Sequence, residues 1–431
     1  MTVPDQDQHA ALPPGTRFID AFVIDVNGTP RGKRLPAADW EASGGKVAFS
    51  AGALVLDAHG MVQGPLGIGT TDGDPDGFAR PVPGTIAPAP WAHPPGEVAQ
   101  CLLSMQRDGA PLWYDPRQIL ADITARCRAD GLHPVVACEL EFYLVELDDQ
   151  GTPHPPRAGT RGEFGHLCLH HLQAHAPFLH ALHAALAAQG ITAGTLVSEY
   201  GPGQFEVNLT HLPDPLQAAD QAALLRRAVH GVAAEHGQTA TFMAKPYPDQ
   251  SGSGLHIHVS LVDENGQNRF GAPGGQALLE HAVAGMQALL PESMAFLAPN
   301  FSAYRRLRPG AFVASSASWG ENTRAAAFRI PPGGPASRRI EHRVAAADAS
   351  PHLAMACLLA GLHHGITHRL APDDTRDLPR NIYAALAALR QSQHLAAYVP
   401  ADFPALFSAL KQAETDDLFA AVSAREFAWY L

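Results

Sequence analysis

Glu139 and Glu141 stand two residues apart in ACELEFYL (137–144), interleaved with Cys138, Leu140, Phe142 and Leu144. Side chains alternate along an extended strand, so the pattern predicts two carboxylates on one face and an apolar set on the other. Three further segments obey the same rule. In GPGQFEVNL, which follows Glu199, Gln204, Glu206 and Asn208 oppose Phe205, Val207 and Leu209. In GLHIHVSL, His256, His258 and Ser260 oppose Ile257, Val259 and Leu261, and in RRIEHRV, Arg339, Glu341 and Arg343 oppose Ile340, His342 and Val344. One such strand alone reads as the solvated face of an antiparallel sheet, and a lone histidine on it as an ordinary hydrogen-bonded residue. Four together would gather Glu139, Glu141, Glu199, Glu206 and Glu341, and carboxylates so close repel unless neutralised. Divalent cations, which take hard oxygen ligands and accept an imidazole nitrogen such as that of His256, meet that need.

The elements that hold these strands are read from the rest of the chain. Its 431 residues exceed one ordinary domain. FIDAFVIDVNGTPRGKRLP predicts a β-hairpin about an Asn-Gly turn, and the Gly/Pro-rich stretch to about residue 105 carries short β-like runs, GALVLDAHG and AQCLLSM. At YDPRQILADITARCRADGL the period changes: Asp115 caps, Pro116 takes the first helical position, and Ile119, Leu120, Ile123 and Cys127 share a stripe. A domain boundary is expected near residue 112. DPLQAADQAALLRRAVHGVAAEHG (214–237) and SPHLAMACLLAGLHHGITHRL (350–370) open in the same way and predict helices, while the polar segment 146–166 predicts a surface loop.

Composition excludes several function classes. A net charge of −12 argues against nucleic acid and against an anionic membrane surface. The apolar runs are too short to span a bilayer, and MTVPDQDQHAALPPGT lacks the basic start and apolar core of a secretory signal, so the expected location is the cytoplasm. Five cysteines without a C-x-x-C pair predict buried thiols in a reducing compartment.

ACELEFYL, SEYGPGQFEVNL, GSGLHIHVSL, AYRRLRPG…SWGENTRAAAFRIP and RRIEHRVAAADASP, in that order, resemble the motif series of the glutamine synthetase superfamily. The likeness extends to DPDGFARPVPGTIAPAPW near the N-terminus. It implies an α+β chain: a flexible arm (1–16), a small β-grasp domain (17–111), and a catalytic domain (112–431) with a curved antiparallel sheet flanked by helices. It further implies two divalent cations, Mg2+ or Mn2+, one held by Glu141, Glu199 and Glu206, the other by Glu139, His256 and Glu341. ATP would meet Ser260, Arg324, Arg329 and Arg339, and glutamate would meet Gly252, Arg306 and Arg343, with Arg324 and Glu199 as catalytic groups. The implied reaction phosphorylates the glutamate γ-carboxylate with ATP, and a nitrogen nucleophile then displaces phosphate to leave an amide. No G-x-x-x-x-G-K-[ST] loop exists, and with only four lysines in the chain, arginine forks are the expected phosphate readers.

Departures from the family pattern bear on the nucleophile. Ammonia-using members carry a glutamate shortly after Pro-Gly, where this chain has Phe312 after Pro309-Gly310, and an aspartate before a Ser-Ser pair, where it has Phe49 or Ser50. Ser251 replaces an asparagine, and DASPH replaces DANPY. A small cation needs negative charge to hold it, whereas an amine offers carbon for Phe312 to cover or an ammonium for it to face. The pattern resembles the γ-glutamyl-amine ligase branch, which includes γ-glutamylputrescine synthetases. True glutamine synthesis with ammonium and a non-catalytic structural member stand as alternatives. A ring-shaped homo-oligomer with sites shared between subunits is implied as well.

Overall fold

The computed structural model describes residues 11–156, 166–308, 313–314, 316–374 and 376–431. Strands β1 (Phe18–Ile24) and β2 (Pro30–Pro36) form the expected hairpin, with Phe18 opposite Pro36 and Ile24 opposite Pro30. Asp25 closes its turn by accepting from the amides of Asn27 and Thr29, and Gly28 supplies the left-handed φ of 75° that the bend requires. β3 (Val47–Ser50), β4 (Asp76–Pro81), β5 (Ala87–Pro88), β6 (Val98–Arg107) and β7 (Ala110–Pro111) complete a sheet ordered β2-β1-β6-β4-β3, with β5 and β7 on β6. β6 is the run AQCLLSM. GALVLDAHG is not a strand: Ala51–Val55 is a 3-10 turn, and Asp57 then folds the chain back by accepting from the amides of His59 and Met61.

A second sheet is built from β8 (His133–Leu147), β9 (Pro153–His154), β10 (Ala193–Ser198), β11 (Gln204–Leu209), β12 (Thr239–Thr241), β13 (Leu255–Val262), β14 (Trp319–Glu321), β15 (Phe328–Ile330) and β16 (Ile340–His342). Its order is β10-β11-β8-β13-β16-β15-β14, with β9 and β12 on β8. Every pairing is antiparallel except β14 with β15. The sheet is flanked by helices, so the chain has the mixed α+β architecture that the sequence predicts.

The apolar face of this sheet, including Leu140, Phe142, Phe205 and Ile257, is fully buried. Helix Pro215–Glu235 packs on β8 from that side. Helices Pro116–Ala129 and Pro215–Glu235 begin where cap and proline predict: Asp115 accepts from the amide of Arg117, and Asp214 from that of Leu216. Helix Pro351–His368 starts at its proline without a side-chain cap on Ser350. Four of the five cysteines are buried, Cys168 is half-buried, and all are free. Among the described residues, no helix is long and apolar enough to cross a membrane.

Helices Gly275–Leu297 and Pro351–His368 approach closely enough for backbones to touch, and glycine makes it possible. A Cβ on Gly365 would lie 1.9 Å from the His281 carbonyl oxygen and 2.5 Å from the Gly285 amide, both backbone atoms that cannot swing aside. Gly365→Ala gains about 1 kcal/mol of helix propensity. Overpacking against fixed backbone costs about 1–3 kcal/mol or more, and overlap this deep belongs at the upper end. A net loss of about 2 kcal/mol is therefore expected in a denaturant melt; an equal or higher midpoint in the variant would contradict the packing described.

Candidate active site

Register turns four separate strand patterns into one polar surface. Glu141 is directly opposite Glu206 across β8 and β11, and Glu139 is opposite His256 across β8 and β13. His258 is opposite Glu341 on β16, and Glu341 is opposite Arg329 on β15. Like charges facing each other across a ladder are unfavourable, so the Glu141–Glu206 pair is costly to leave bare. Glu199 joins them from the turn after β10, where its amide donates to the Gln204 carbonyl. Glu139, Glu141, Glu199, Glu206, His256 and Glu341 line one cavity.

Within it, Glu141, Glu199 and Glu206 each offer an oxygen within 4.8 Å of the others, and Glu139, Glu206 and His256 form a second such group. At about 4 Å, and with an effective dielectric of about 20, each pair of like charges repels by about 4 kcal/mol. The same crowding and burial shift the pKa of these acids. Burial, then the neighbouring Glu139, Glu141 and Glu199, push the Glu206 carboxyl up to about 9. Burial and Glu141 push Glu199 up to about 7, against the opposing charge of Arg324. Glu139 behaves oppositely. Burial alone would raise it, but hydrogen bonds from His256 and His258 hold it well below the usual carboxylate range. An all-oxygen group with one neighbouring imidazole suits a hard divalent cation, and bare acids that keep their protons at neutral pH are what such a cation would replace. The residues present fit two such ions.

A direct consequence is measurable. Adding Mg2+ to metal-free protein at pH 7 is expected to release about one proton per chain or more, chiefly from the raised carboxyl of Glu206 with a further contribution from Glu199. Calorimetric titration in two buffers of different protonation enthalpy reads that number, and Glu206→Gln should lower it by about one. Binding heat that does not depend on the buffer would contradict the charge state described here.

His258 joins Glu139 and Glu341 in a third group of ligand atoms within 4.8 Å of one another, and it also orients Glu139. Arg339 Nε donates to its Nδ1 at 3.0 Å, and because arginine can only donate, a neutral ring must carry its proton on Nε2. That proton is directed at Glu139 Oε1, 2.7 Å away. His256 lies between three acids: Nδ1 is 3.4 Å from Glu139 and 3.9 Å from Glu341, and Nε2 is 3.9 Å from Glu141. Gly254 lets the chain pass close by. A Cβ there would meet an Arg306 Nη at 2.3 Å, and the Gly254 amide donates to Glu141 Oε2 at 2.7 Å.

Arginines face the acids. Arg324 is exposed at the cavity wall and has no hydrogen-bond partner among the described residues. Arg329 donates to Glu341 Oε2 at 2.7 Å, and Arg343 donates to Glu341 Oε1. Burial pushes Glu341 up, but the charges of His256 and Arg343 outweigh it and hold the acid below its ordinary range. The Nε groups of Arg329 and Arg343 are buried with no acceptor. Two unspent N–H groups on one wall are suited to an incoming oxyanion.

A family model described as glutamine synthetase, catalytic domain, matches residues 113–430. The chain belongs to the glutamine synthetase family. Gamma-glutamylputrescine synthetase PuuA of Escherichia coli (strain K12) is 37% identical over 439 residues, covering 97% of this chain and 92% of that protein. Glutamate–isopropylamine ligase of Pseudomonas sp is 29% identical, covering 95% of this chain and 93% of that protein. A solved structure described as apo GmaS without ligand superposes with a TM-score of 0.84 at 25% identity, covering 96% of this chain and 97% of that one.

Of the residues that the family motifs select, Gly252, Arg306, Arg324, Arg329 and Arg343 line the cavity together with the six acid and histidine positions. Arg306 spends its Nη groups on the carbonyls of Arg343, Val344 and Ala345, and burial lowers its pKa to about 10. A Cβ on Gly252 would meet the Ala244 carbonyl and Arg306 Cγ, both at 2.7 Å, so only glycine fits there. Ser260 and Arg339 do not line the cavity. Ser260 lies one pair farther along β13 than His258, opposite Val135, and Arg339 reaches the acids only through His258. Phe312 and Pro309-Gly310 lie outside the described residues.

Sequence reasoning missed His166. It ends the segment expected to be a surface loop, yet it lines the cavity, stacked on Tyr200 with ring centroids 4.4 Å apart and planes at 6°. Its Nδ1 lies 3.4 Å from Glu199 Oε2 without the alignment of a hydrogen bond. No periodicity marks that position.

Proposed function

We propose that this chain is an ATP-dependent glutamate–amine ligase that joins the γ-carboxylate of glutamate to a small amine through a γ-glutamyl phosphate. The observation that carries the reading is a row of carboxylates facing unspent arginine N–H groups in one cavity. The 37% identity to a γ-glutamylputrescine synthetase narrows it to amines. Glu141, Glu199 and Glu206 would hold one Mg2+ or Mn2+, and Glu139, His256 and Glu341 the other, the ions neutralising phosphate charge during transfer.

The remaining steps are assigned to this chain's own side chains. Arg343 and Arg306, with Gly252 giving close backbone approach, would bind the carboxylate groups of glutamate and hold its γ-carboxylate in line with the γ-phosphorus of ATP. Arg324 and Arg329 would take the phosphoryl oxygens, and Arg339 and Ser260, outside the cavity lining, would meet ATP farther from the transferred group. As the carboxylate oxygen bonds to phosphorus, the bond to the β-phosphate bridge breaks and ADP leaves. The amine nitrogen then attacks the acyl carbon, phosphate departs, and the amine loses a proton. Glu199, next to Arg324 electrostatically and buried among the acids, is assigned both as ligand and as the carboxylate nearest the transfer. Phe312 is assigned to the amine pocket.

The assembly proposed is a ring-shaped homo-oligomer in which a unit of residues 17–111 completes the site of a neighbouring 112–431 unit. Supporting an oligomer, helix Ala424–Tyr430 and the residues before it expose Phe419, Val422, Phe427, Trp429 and Tyr430. Large apolar side chains exposed this close together in the sequence are suited to cover by another copy of the chain.

A glutamate analogue whose side-chain nitrogen accepts a phosphoryl group, methionine sulfoximine, tests the phosphoryl route. Its inhibition is expected to require ATP and to tighten with time, because the phosphorylated form imitates the acyl-transfer stage and such analogues bind more tightly than substrates. Equal inhibition with and without ATP would remove the acyl phosphate from the scheme.

A further inference from the structure

The short helix Phe301–Arg306 separates two cavities. Arg306 lines the catalytic one, whereas Tyr304, Arg305 and Arg308 line a second cavity bounded across from them by Leu378 and Arg380. Three arginines thus line one concavity. Arg305, Arg308 and Arg380 are all exposed, and none has a carboxylate partner among the described residues. Such a cluster is unexpected in a chain with 42 acids to 30 basic residues, where a carboxylate is usually at hand to pair with each arginine. The positive field extends inward: after burial, Arg308 is the next cause holding the nearby Lys245 ammonium below its ordinary pKa, with Asp249 opposing.

Tyr304 supplies an independent observation. It is only 9% exposed, and its hydroxyl is buried without a hydrogen-bond partner. An unsatisfied buried hydroxyl forfeits free energy that a bound acceptor would restore. Guanidinium forks supply planar pairs of donors, and a phenol adds one more, so the shared preference of the lining is for an acceptor-rich anion.

We propose that the cavity between Tyr304, Arg305, Arg308 and Arg380 binds a small oxyanion carrying at least two negative charges, a phosphate group or a short dicarboxylate, at a position separate from the catalytic cavity. The three arginines neutralise it and the Tyr304 hydroxyl donates to one of its oxygens. The assignment does not depend on the ligase reading, because its test is binding, not turnover.

Calorimetric titration of the full chain with inorganic phosphate, and separately with succinate, tests it in wild type, Arg305→Ala/Arg380→Ala and Tyr304→Phe. At least one anion is expected to bind wild type at a site that the double substitution weakens by about tenfold or more, with severalfold weakening in Tyr304→Phe. Phosphate acting through the catalytic cavity would survive both changes, so the comparison separates the two sites. Binding of phosphate alone assigns a phosphate-bearing ligand, binding of succinate alone a dicarboxylate, and binding of both a general oxyanion site. The arginines are at the surface, and an unchanged thermal midpoint confirms that the double variant folds; Arg305→Lys/Arg380→Lys should recover part of the binding. No heat from either anion with wild type, or equal affinity in wild type and the double variant, overturns the proposal. So does a double variant whose only change is its sedimenting mass, which would make the arginines a contact between subunits.

Discussion

Glu139→Ala is expected to abolish amide formation, lowering kcat/KM by about a thousandfold or more, equivalent to about 4 kcal/mol of transition-state stabilisation. Several groups converge on Glu139: His256 opposite, His258 directed at it, and Glu206 within ligand distance. Removing it takes a ligand from one proposed cation and leaves the remaining acids repelling with less to neutralise them. The fold should survive. The other face of β8 keeps Leu140, Phe142 and Leu144 fully buried, and relief of repulsion with Glu206 partly offsets the loss of two histidine contacts. His256→Ala is expected to behave alike. Glutamate- and amine-dependent phosphate release at saturating Mg2+ and at saturating Mn2+ is the measurement, with circular dichroism to confirm folding. Turnover near wild type in either folded variant would count decisively against the two-cation site.

The acid face was legible because a strand has a period of two and each segment carried it cleanly. Glu139 and Glu141, Glu206, and His256 and His258 could each be assigned to a face from local sequence, and the hairpin of β1 and β2 from its Asn-Gly turn. What alternation cannot give is register, and register decides that Glu141 meets Glu206 and Glu139 meets His256. It also cannot give hydrogen-bond direction. The role of His258 follows from Arg339 donating to it, and the engagement of Glu341 by Arg329 and Arg343 follows from three short strands meeting. His166 reaches the cavity from a segment with no period at all. GALVLDAHG misled for the opposite reason: its apolar content resembles a strand, but a turn about Asp57 consumes the backbone groups that a ladder would need.

The preference for an amine over ammonium is the second large effect. Both nucleophiles carry one positive charge when protonated, so charge alone does not separate them. Only the amine has carbon to bury, at about 0.8 kcal/mol per methylene, so four carbons give up to about 3 kcal/mol, near a hundredfold, before desolvation reduces it. With Phe312 assigned to the amine pocket as proposed, apolar surface would replace the charge of the glutamate that ammonia-using members carry. Phe312→Glu should therefore move the balance toward ammonium, because a carboxylate holds the small cation while its own burial penalises the amine's chain. The decisive measurement is kcat/KM of the wild-type chain for ammonium and for a series of mono- and diamines of increasing length, with glutamate and ATP saturating, at one pH. A four-carbon amine is expected to exceed ammonium by about tenfold to a hundredfold; ammonium preferred over every amine tested would contradict the amine-ligase reading and make plain glutamine synthesis the better description.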